Sequence, residues 1–146
     1  MTTEQIKLLI ENEDLEKVYS KCDRHERKDL TEYLLSIGVQ SDEYMRNIPS
    51  DFLNASQISS YDISPTVGVI GSSAVAFCAS LTSVNIPNSV TSIGDHAFYG
   101  CKSLTNIHFD GTVKQWKNIL KKDTAFEHIS STVTIQCTDG ITRFRG

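Results

Sequence analysis

The chain has 146 residues, 39% of them hydrophobic, and a formal net charge of −4 at pH 7. This length is about that of one domain, and the absence of a run of about 18 apolar residues argues against a membrane span. Because phosphate binding requires clustered lysine and arginine, the acidic balance argues against nucleic acid as a direct ligand.

The N-terminal region, residues 1–45, has the apolar spacing of short amphipathic helices. A first helix is predicted to open at Thr3, and two further stripes of apolar residues follow, over 15–22 and 30–37. Gly38 is a natural helix stop. Three such helices can pack together and cover the end of a repeat array, which would otherwise expose its apolar core.

The same region contains a short acidic cluster, formed by Glu11, Glu13, Asp14 and Glu16. Such a cluster could mimic nucleic-acid phosphates and occupy a basic groove on a partner protein. The alternative is ordinary acidic sequence near a helix N-terminus, where the helix dipole favours negative charge.

Residues 46–109 contain a repeat of 23 residues, with two copies at 67–86 and 90–109. The equivalent pairs are Val67/Val90, Ile70/Ile93, Gly71/Gly94, Ala74/Ala97, Cys78/Cys101, Leu81/Leu104 and Val84/Ile107. A fixed period of about 20–29 residues is typical of leucine-rich-repeat solenoids, in which stacked copies bury one another's apolar faces. A degraded half copy precedes them at 51–63, where the same period aligns Phe52 with Phe98 and places Ala55 at the cysteine position.

Strand alternation within each copy predicts which side chains point outward. Inward positions carry residues such as Val84 and Ile86, and Gly94 is expected to adopt a backbone angle that only glycine favours. The outward row consists of Ser60, Asp62, Ser83, Asn85, Asn106, His108, Thr134 and Gln136. Solenoids use such regular faces for recognition, so this row is the preferred partner-binding site, with a merely solvated sheet face as the alternative.

Four cysteines are present: Cys22, Cys78, Cys101 and Cys137. None form a C-x-x-C pair, which argues against a zinc site. Cys78 and Cys101 occupy the same repeat position, so they are expected one layer apart. Their redox state stays open, although buried thiols are favoured over a disulfide.

The C-terminal region, residues 110–146, departs from the repeat. A short helix is predicted over 113–122, with Trp116, Ile119 and Leu120 on one side. A strand is predicted over 132–137, with Val133 following Ile107 by 26 residues. The region is therefore interpreted as a modified last repeat with an inserted helix, which caps the array. The predicted fold class is α+β: a helical N-terminal cap (1–45), a short leucine-rich-repeat solenoid with a small parallel sheet (46–109), and this C-terminal cap (110–146).

Residues 78–101, CASLTSVNIPNSVTSIGDHAFYGC, closely resemble BspA-like leucine-rich repeats, whose consensus is roughly C-x-x-L-x-x-I-x-I-P-x-x-V-x-x-I-G-x-x-A-F-x-x-C. The resemblance covers about residues 51–140 and leaves the helical N-terminus unassigned. Members of this family are typically surface adhesins with many repeats that bind host proteins. The resemblance implies a protein partner and identifies no catalytic residue, metal ligand or cofactor.

The sequence favours a non-enzymatic protein-interaction module that binds through its repeat face, its helical N-terminus or both. No metal site or cofactor is expected, because the histidines and acidic residues lack ligand spacing. One alternative is a small phage- or mobile-element-encoded inhibitor of a host defence nuclease, of the anti-CRISPR type, acting through its acidic helices. A second alternative is a fragment of a bacterial surface adhesin.

The N-terminus lacks a basic region followed by an apolar stretch, so no secretory signal is predicted. If Met1 is the native start, the expected location is the cytoplasm of a bacterium or of an infected bacterial host. The small number of repeats leaves a homodimer open as well, since an uncapped end of the array would favour self-association.

Overall fold

The computed structural model describes residues 15–38, 40–130 and 132–143. In this part of the chain the helices are α1 (Leu15–Lys21), α2 (Arg24–Ser36) and α3 (Val113–Asn118), with a 3-10 helix at Ser41–Tyr44. The strands are β1 (Asn47–Ile48), β2 (Ser60–Asp62), β3 (Val69–Ile70), β4 (Ser83–Pro87), β5 (Ser92–Ile93), β6 (Asn106–Asp110), β7 (Leu120–Lys121), β8 (Thr134–Cys137) and β9 (Gly140–Thr142). None of these helices combines the length and the apolar character needed to cross a bilayer.

The helices follow the two predicted stripes. α2 begins after Asp23, whose side chain accepts a hydrogen bond from the Glu26 backbone N–H at 2.9 Å, while the Glu26 side chain accepts one from the Asp23 backbone N–H. This reciprocal capping satisfies two helix-end donors. The helix ends at Ser36, and Gly38 adopts the left-handed conformation at φ 82°. The helix predicted from Thr3 lies outside the described residues.

Two separate sheets run through the repeat region, with the core between them. In the described residues the larger one has the order β2-β4-β6-β8-β9 and is parallel except for β9, which pairs antiparallel with β8. The smaller sheet has the order β1-β3-β5-β7 and consists of two-residue parallel strands. The sequence predicted the first sheet. It missed the second, because two-residue strands have no detectable alternation.

The repeat spacing varies along the chain. β4 and β6 pair at the predicted offset of 23, as in Val84 opposite Ile107, whereas β1 and β3 pair at 22. The alignment of the first half copy was correct over its strand, where Tyr61 lies opposite Val84 at an offset of 23, but it was wrong by one residue before that strand. The Cys101 thiol donates to the Val75 carbonyl and the Cys78 thiol to the Leu53 carbonyl, so Leu53 is the equivalent of Val75.

The same shift moves the predicted cysteine position from Ala55 to Ser56, which is buried. The last pairing was also misaligned: Ile107 lies opposite Ile135, at an offset of 28. Val133 is not its equivalent, because the helix α3 lengthens the last copy.

Glycine in each copy is required by close packing and not by an unusual backbone angle. In the described chain the glycines with positive φ are Gly38 and Gly100, so the expectation for Gly94 was wrong. A Cβ atom on Gly71 would lie 2.5 Å from the Ile48 carbonyl oxygen, and one on Gly94 would lie 3.2 Å from the Ile70 carbonyl oxygen. Both glycines donate their N–H to those carbonyls at 2.8 Å. Neighbouring layers therefore approach too closely for a side chain.

The core lies between the two sheets. Inward residues of every layer form one apolar cluster, including Leu81, Leu104 and Ile135. Phe98 stacks on Phe126 with ring centroids 5.1 Å apart and planes 4° apart. Because no single layer could bury these side chains, the stacking of layers creates the interior.

The C-terminal segment differs from its prediction at two points. α3 ends at Asn118, so Leu120 lies on β7 and is 74% exposed instead of joining Trp116 and Ile119 in the core. After β8 the chain turns at residues 138–139 and returns as β9, which the sequence analysis read only as the end of a strand.

Candidate protein-interaction face

The outward side chains of the larger sheet form two rows that cross it from strand to strand. The first row contains Asp62, Asn85, His108 and Gln136, which lie opposite one another in register. Asp62, Asn85 and His108 are exposed and Gln136 is half-buried. Since parallel strands are about 4.8 Å apart, the row presents one polar group at each such step.

The second row lies two residues earlier on every strand. It contains Ser60, Ser83, Asn106 and Thr134, again in register. Ser60 and Asn106 are exposed, and the other two are half-buried. The structure thus brings all eight predicted outward residues together on one surface, which we call the polar face.

Sequence reasoning missed one residue of this surface. Ile141 on β9 lies opposite Gln136 in the antiparallel pairing, and opposed residues of such a pair point to the same side of a sheet. Ile141 is 68% exposed. The signal was available, because an Asp-Gly pair between two β-branched segments is typical of a hairpin, although the turn itself lies one residue earlier, at 138–139.

The polar face is held in place at its first strand. The Asn85 side-chain amide donates a hydrogen bond to the Asp62 carboxylate, and the Gln40 amide donates to the Asp62 backbone carbonyl at 2.7 Å. These contacts fix one charged group at the edge of the face. Preordered side chains lose less conformational entropy when they bind a partner.

A cleft of about 450 Å³ borders the polar face at the C-terminal ends of the strands. Asn85, His108 and Gln136 line one side of it, together with apolar residues such as Pro87 and Phe109. A concave apolar surface with a few convergent polar groups is typical of binding sites. A larger open groove of about 790 Å³ is lined by residues such as Glu43 of the 3-10 helix and Arg46 before β1, and by none of the predicted binding residues.

In the described part of the chain, the cleft contains one cysteine, Cys137, whose thiol does not have the lowered pKa of a nucleophilic cysteine. Cys137 lines the cleft, and partial burial together with the negative charge of Asp139 raises the pKa of its thiol. A raised pKa keeps this sulfur protonated, whereas nucleophilic cysteines need the thiolate. No group of three or more metal-ligating side chains occurs among the described residues.

A buried polar network joins the helices to the first repeat. Tyr61 donates its hydroxyl proton to the Asp42 carboxylate at 2.6 Å, and the Ser64 backbone N–H donates to the same oxygen at 3.1 Å. The Tyr19 hydroxyl lies 2.7 Å from Thr31 Oγ1. Burial raises the pKa of Tyr19 to about 12, and burial followed by the Asp42 charge raises the pKa of Tyr61.

The contacts of the predicted acidic cluster are not part of the described structure. Glu11, Glu13 and Asp14 lie outside the described residues, and Glu16 is in α1 with its side chain outside the description. No contact between this cluster and the polar face is therefore described.

A second exposed group of rings lies outside both sheets. Tyr99 packs edge-on against Phe77, His96 and His128, with ring centroids 4.9–5.4 Å apart. Phe77 is 50% exposed and has a positive φ of 59°. His96 and His128 therefore belong to this group of rings, whereas His108 lies on the polar face.

Comparison with family models gives one match. The model described as BspA type leucine-rich repeat region (6 copies) matches residues 46–145, which is more than half of the chain. No curated protein and no solved structure matches the sequence. The matched region contains every strand of the two sheets, since β1 begins at Asn47 and β9 ends at Thr142.

Proposed function

The chain belongs to the BspA-type leucine-rich-repeat family, and from this premise we propose that it is a non-enzymatic module that binds a partner protein through the polar face. The observation that carries the proposal is the in-register alignment of Asp62, Asn85, His108 and Gln136 beside the cleft. Repeat proteins commonly use such extended regular surfaces for recognition.

The partner surface that fits this face is polar. Asp62 supplies a negative charge at one end of the face, which would bind a hydrogen-bond donor or a cation of the partner. Asn85 and Gln136 supply amide groups that both donate and accept hydrogen bonds. Ile141 adds an exposed apolar group at the other end. Binding energy is expected to concentrate on the few residues that become fully desolvated.

We further propose that the repeats form a short solenoid and that α1, α2 and the 3-10 helix act as its N-terminal cap. Supporting contacts are the Tyr19–Phe52 ring pair at 5.3 Å and the hydrogen bond from Tyr61 to Asp42. Phe52 occupies the place of Ala74 in the next layer, and its larger ring packs against Tyr19 of α1. A terminal repeat needs such a cover to remain soluble.

Replacement of two residues of the polar face tests the proposal. Asn85→Ala with His108→Ala is expected to lower the affinity for the partner protein at least tenfold, because both side chains lie at the centre of the polar face. Both side chains are exposed, so their loss leaves the core intact. Lys102→Ala with Ser103→Ala is the matched control, since both residues are exposed on a turn before β6. Equal affinity of the two double variants would refute the assignment of the face.

The nuclease-inhibitor hypothesis predicts a different pattern. Glu13→Lys with Asp14→Lys would then abolish binding, whereas the polar-face variant would bind normally. An adhesin would bind an extracellular protein with the same face, so the source of the captured partner separates that reading from a cytoplasmic role.

A further inference from the structure

The larger sheet ends on an edge strand with an exposed apolar residue. β9 is the last strand of the sheet, and within the described residues no strand pairs with its outer edge. Ile141, in the centre of β9, is 68% exposed. Unprotected strand edges of this kind promote pairing with another chain.

The opposite edge of the same sheet is covered. The Gln40 side-chain amide donates to the Asp62 carbonyl of β2, and the Asp42 carboxylate accepts from the Ser64 N–H just after β2. Side chains from the helical region thus occupy backbone groups at this edge. The contrast makes β9 the edge available for pairing.

We propose that β9 pairs with β9 of a second copy, antiparallel about a twofold axis at Ile141. An antiparallel strand can pair with itself in this way, and such a contact is closed and self-complementary. The two Ile141 side chains would then lie opposite each other on the same side of the joined sheet. Each shields apolar surface that is exposed in the single chain.

Charge complementarity selects this register. With Ile141 opposite its own copy, Asp139 of each chain lies opposite Arg143 of the other. Both residues are exposed, Asp139 in the turn just before β9 and Arg143 directly after it. The Asp139 Oδ1 atom accepts a hydrogen bond from the Val113 backbone N–H at 2.8 Å, and the second carboxylate oxygen would face Arg143 of the second copy. Opposite charges directly across a strand pair stabilise it. Registers centred on Gly140 or Thr142 would leave both charges without this partner.

The pairing would extend the polar face across two copies. The larger sheets of the two copies would become one continuous sheet. The row that ends with Gln136 in one copy would then continue through the two Ile141 side chains to Gln136 of the other copy. The smaller sheet ends on the same side with β7, whose Leu120 is 74% exposed. Because three-residue strands bury little area, the dimer is expected to be weak and concentration-dependent.

Sedimentation of the full-length chain from about 10 μM to about 1 mM tests the dimer. The expected average mass rises from 16.3 kDa towards twice that value. Ile141→Glu is expected to remain monomeric, whereas Leu35→Glu, a matched change at a 39% exposed site on α2, associates like the parent chain. Arg143→Asp is expected to weaken association, and more strongly at low salt.

A cross-link tests the register independently. Ile141→Cys should give a disulfide-linked dimer when treated with oxidised glutathione, which takes up the two electrons and two protons of the thiols as two reduced glutathione molecules. Leu35→Cys and the parent chain should give much less cross-linked dimer under the same conditions.

A chain that stays monomeric up to about 1 mM would overturn the proposal, as would association that Ile141→Glu leaves unchanged. Self-association requires no other protein, so either result would leave the partner-binding role of the polar face intact. Conversely, if the Asn85→Ala, His108→Ala variant bound the partner protein with unchanged affinity, the role of the polar face would be refuted while the dimer proposal would stand.

Discussion

Alanine substitution at three glycines tests the close stacking of layers. A Cβ atom at Gly71 would lie 2.5 Å from the Ile48 carbonyl oxygen and 2.9 Å from two further backbone atoms. Backbone atoms cannot rotate away, so the preceding layer must move. Overpacking of this kind costs about 1–3 kcal/mol, and the backbone contact places Gly71→Ala at about 2–3 kcal/mol.

The other two glycines supply graded controls. At Gly94 the nearest backbone atoms are 3.0–3.2 Å from the added Cβ, so a loss of about 1 kcal/mol is expected. At Gly68 the nearest atoms are 3.7 and 3.9 Å away, so alanine fits. Because alanine also restricts the unfolded chain, Gly68→Ala is expected to be neutral or to stabilise by up to about 1 kcal/mol.

Urea unfolding, monitored by the fluorescence of the single tryptophan, Trp116, measures the series. For a chain of this size, Gly71→Ala should also lower Tm by roughly 4–12 °C. Equal unfolding midpoints for Gly71→Ala and Gly68→Ala would refute the claim that backbone contact between layers excludes a side chain.

Three further predictions concern buried groups. Tyr61→Phe removes the hydroxyl that donates to Asp42 and should lower the free energy of unfolding by about 1–3 kcal/mol in urea titrations. Burial raises the pKa of Tyr19 to about 12 from 10.0, so the folded chain retains a proton that the unfolded chain loses. The stability from this group is therefore complete below pH 10 and is lost towards pH 12, and the difference between the parent and Tyr19→Phe should show that loss. Burial of Cys78 and Cys101 should prevent alkylation by iodoacetamide in the folded chain, as judged by mass spectrometry, and unfolding should expose both thiols.

Much of the repeat architecture could be predicted from the sequence, because the 23-residue period forces equivalent residues into adjacent layers. The pairing of Val84 with Ile107 and the alignment of Asn85 with His108 follow directly from it. The two errors of register occur where the period itself changes. An offset of 22 in the part of the first layer before β2, and of 28 at the last layer, cannot be obtained by extending the central spacing.

Other features depend on tertiary contacts that the sequence does not display. The need for glycine at Gly71 and Gly94 arises from the backbone of the preceding layer, which only the stacked structure brings close. The exposure of Leu120 follows from the early end of α3 and its entry into the smaller sheet. Ile141 was missed because Asp139-Gly140 was interpreted as the end of a strand and not as part of a hairpin, whose turn lies at residues 138–139.

Site-specific photocrosslinking tests the central claim most directly. A photoreactive side chain placed at Asn106 lies on the polar face, and the same group at Lys102 lies on an exposed turn a few residues earlier. In lysate of the source organism or its host, the account predicts one stoichiometric protein partner captured from Asn106 and not from Lys102. Equal capture from both positions, or capture only through residues 1–47, would contradict it.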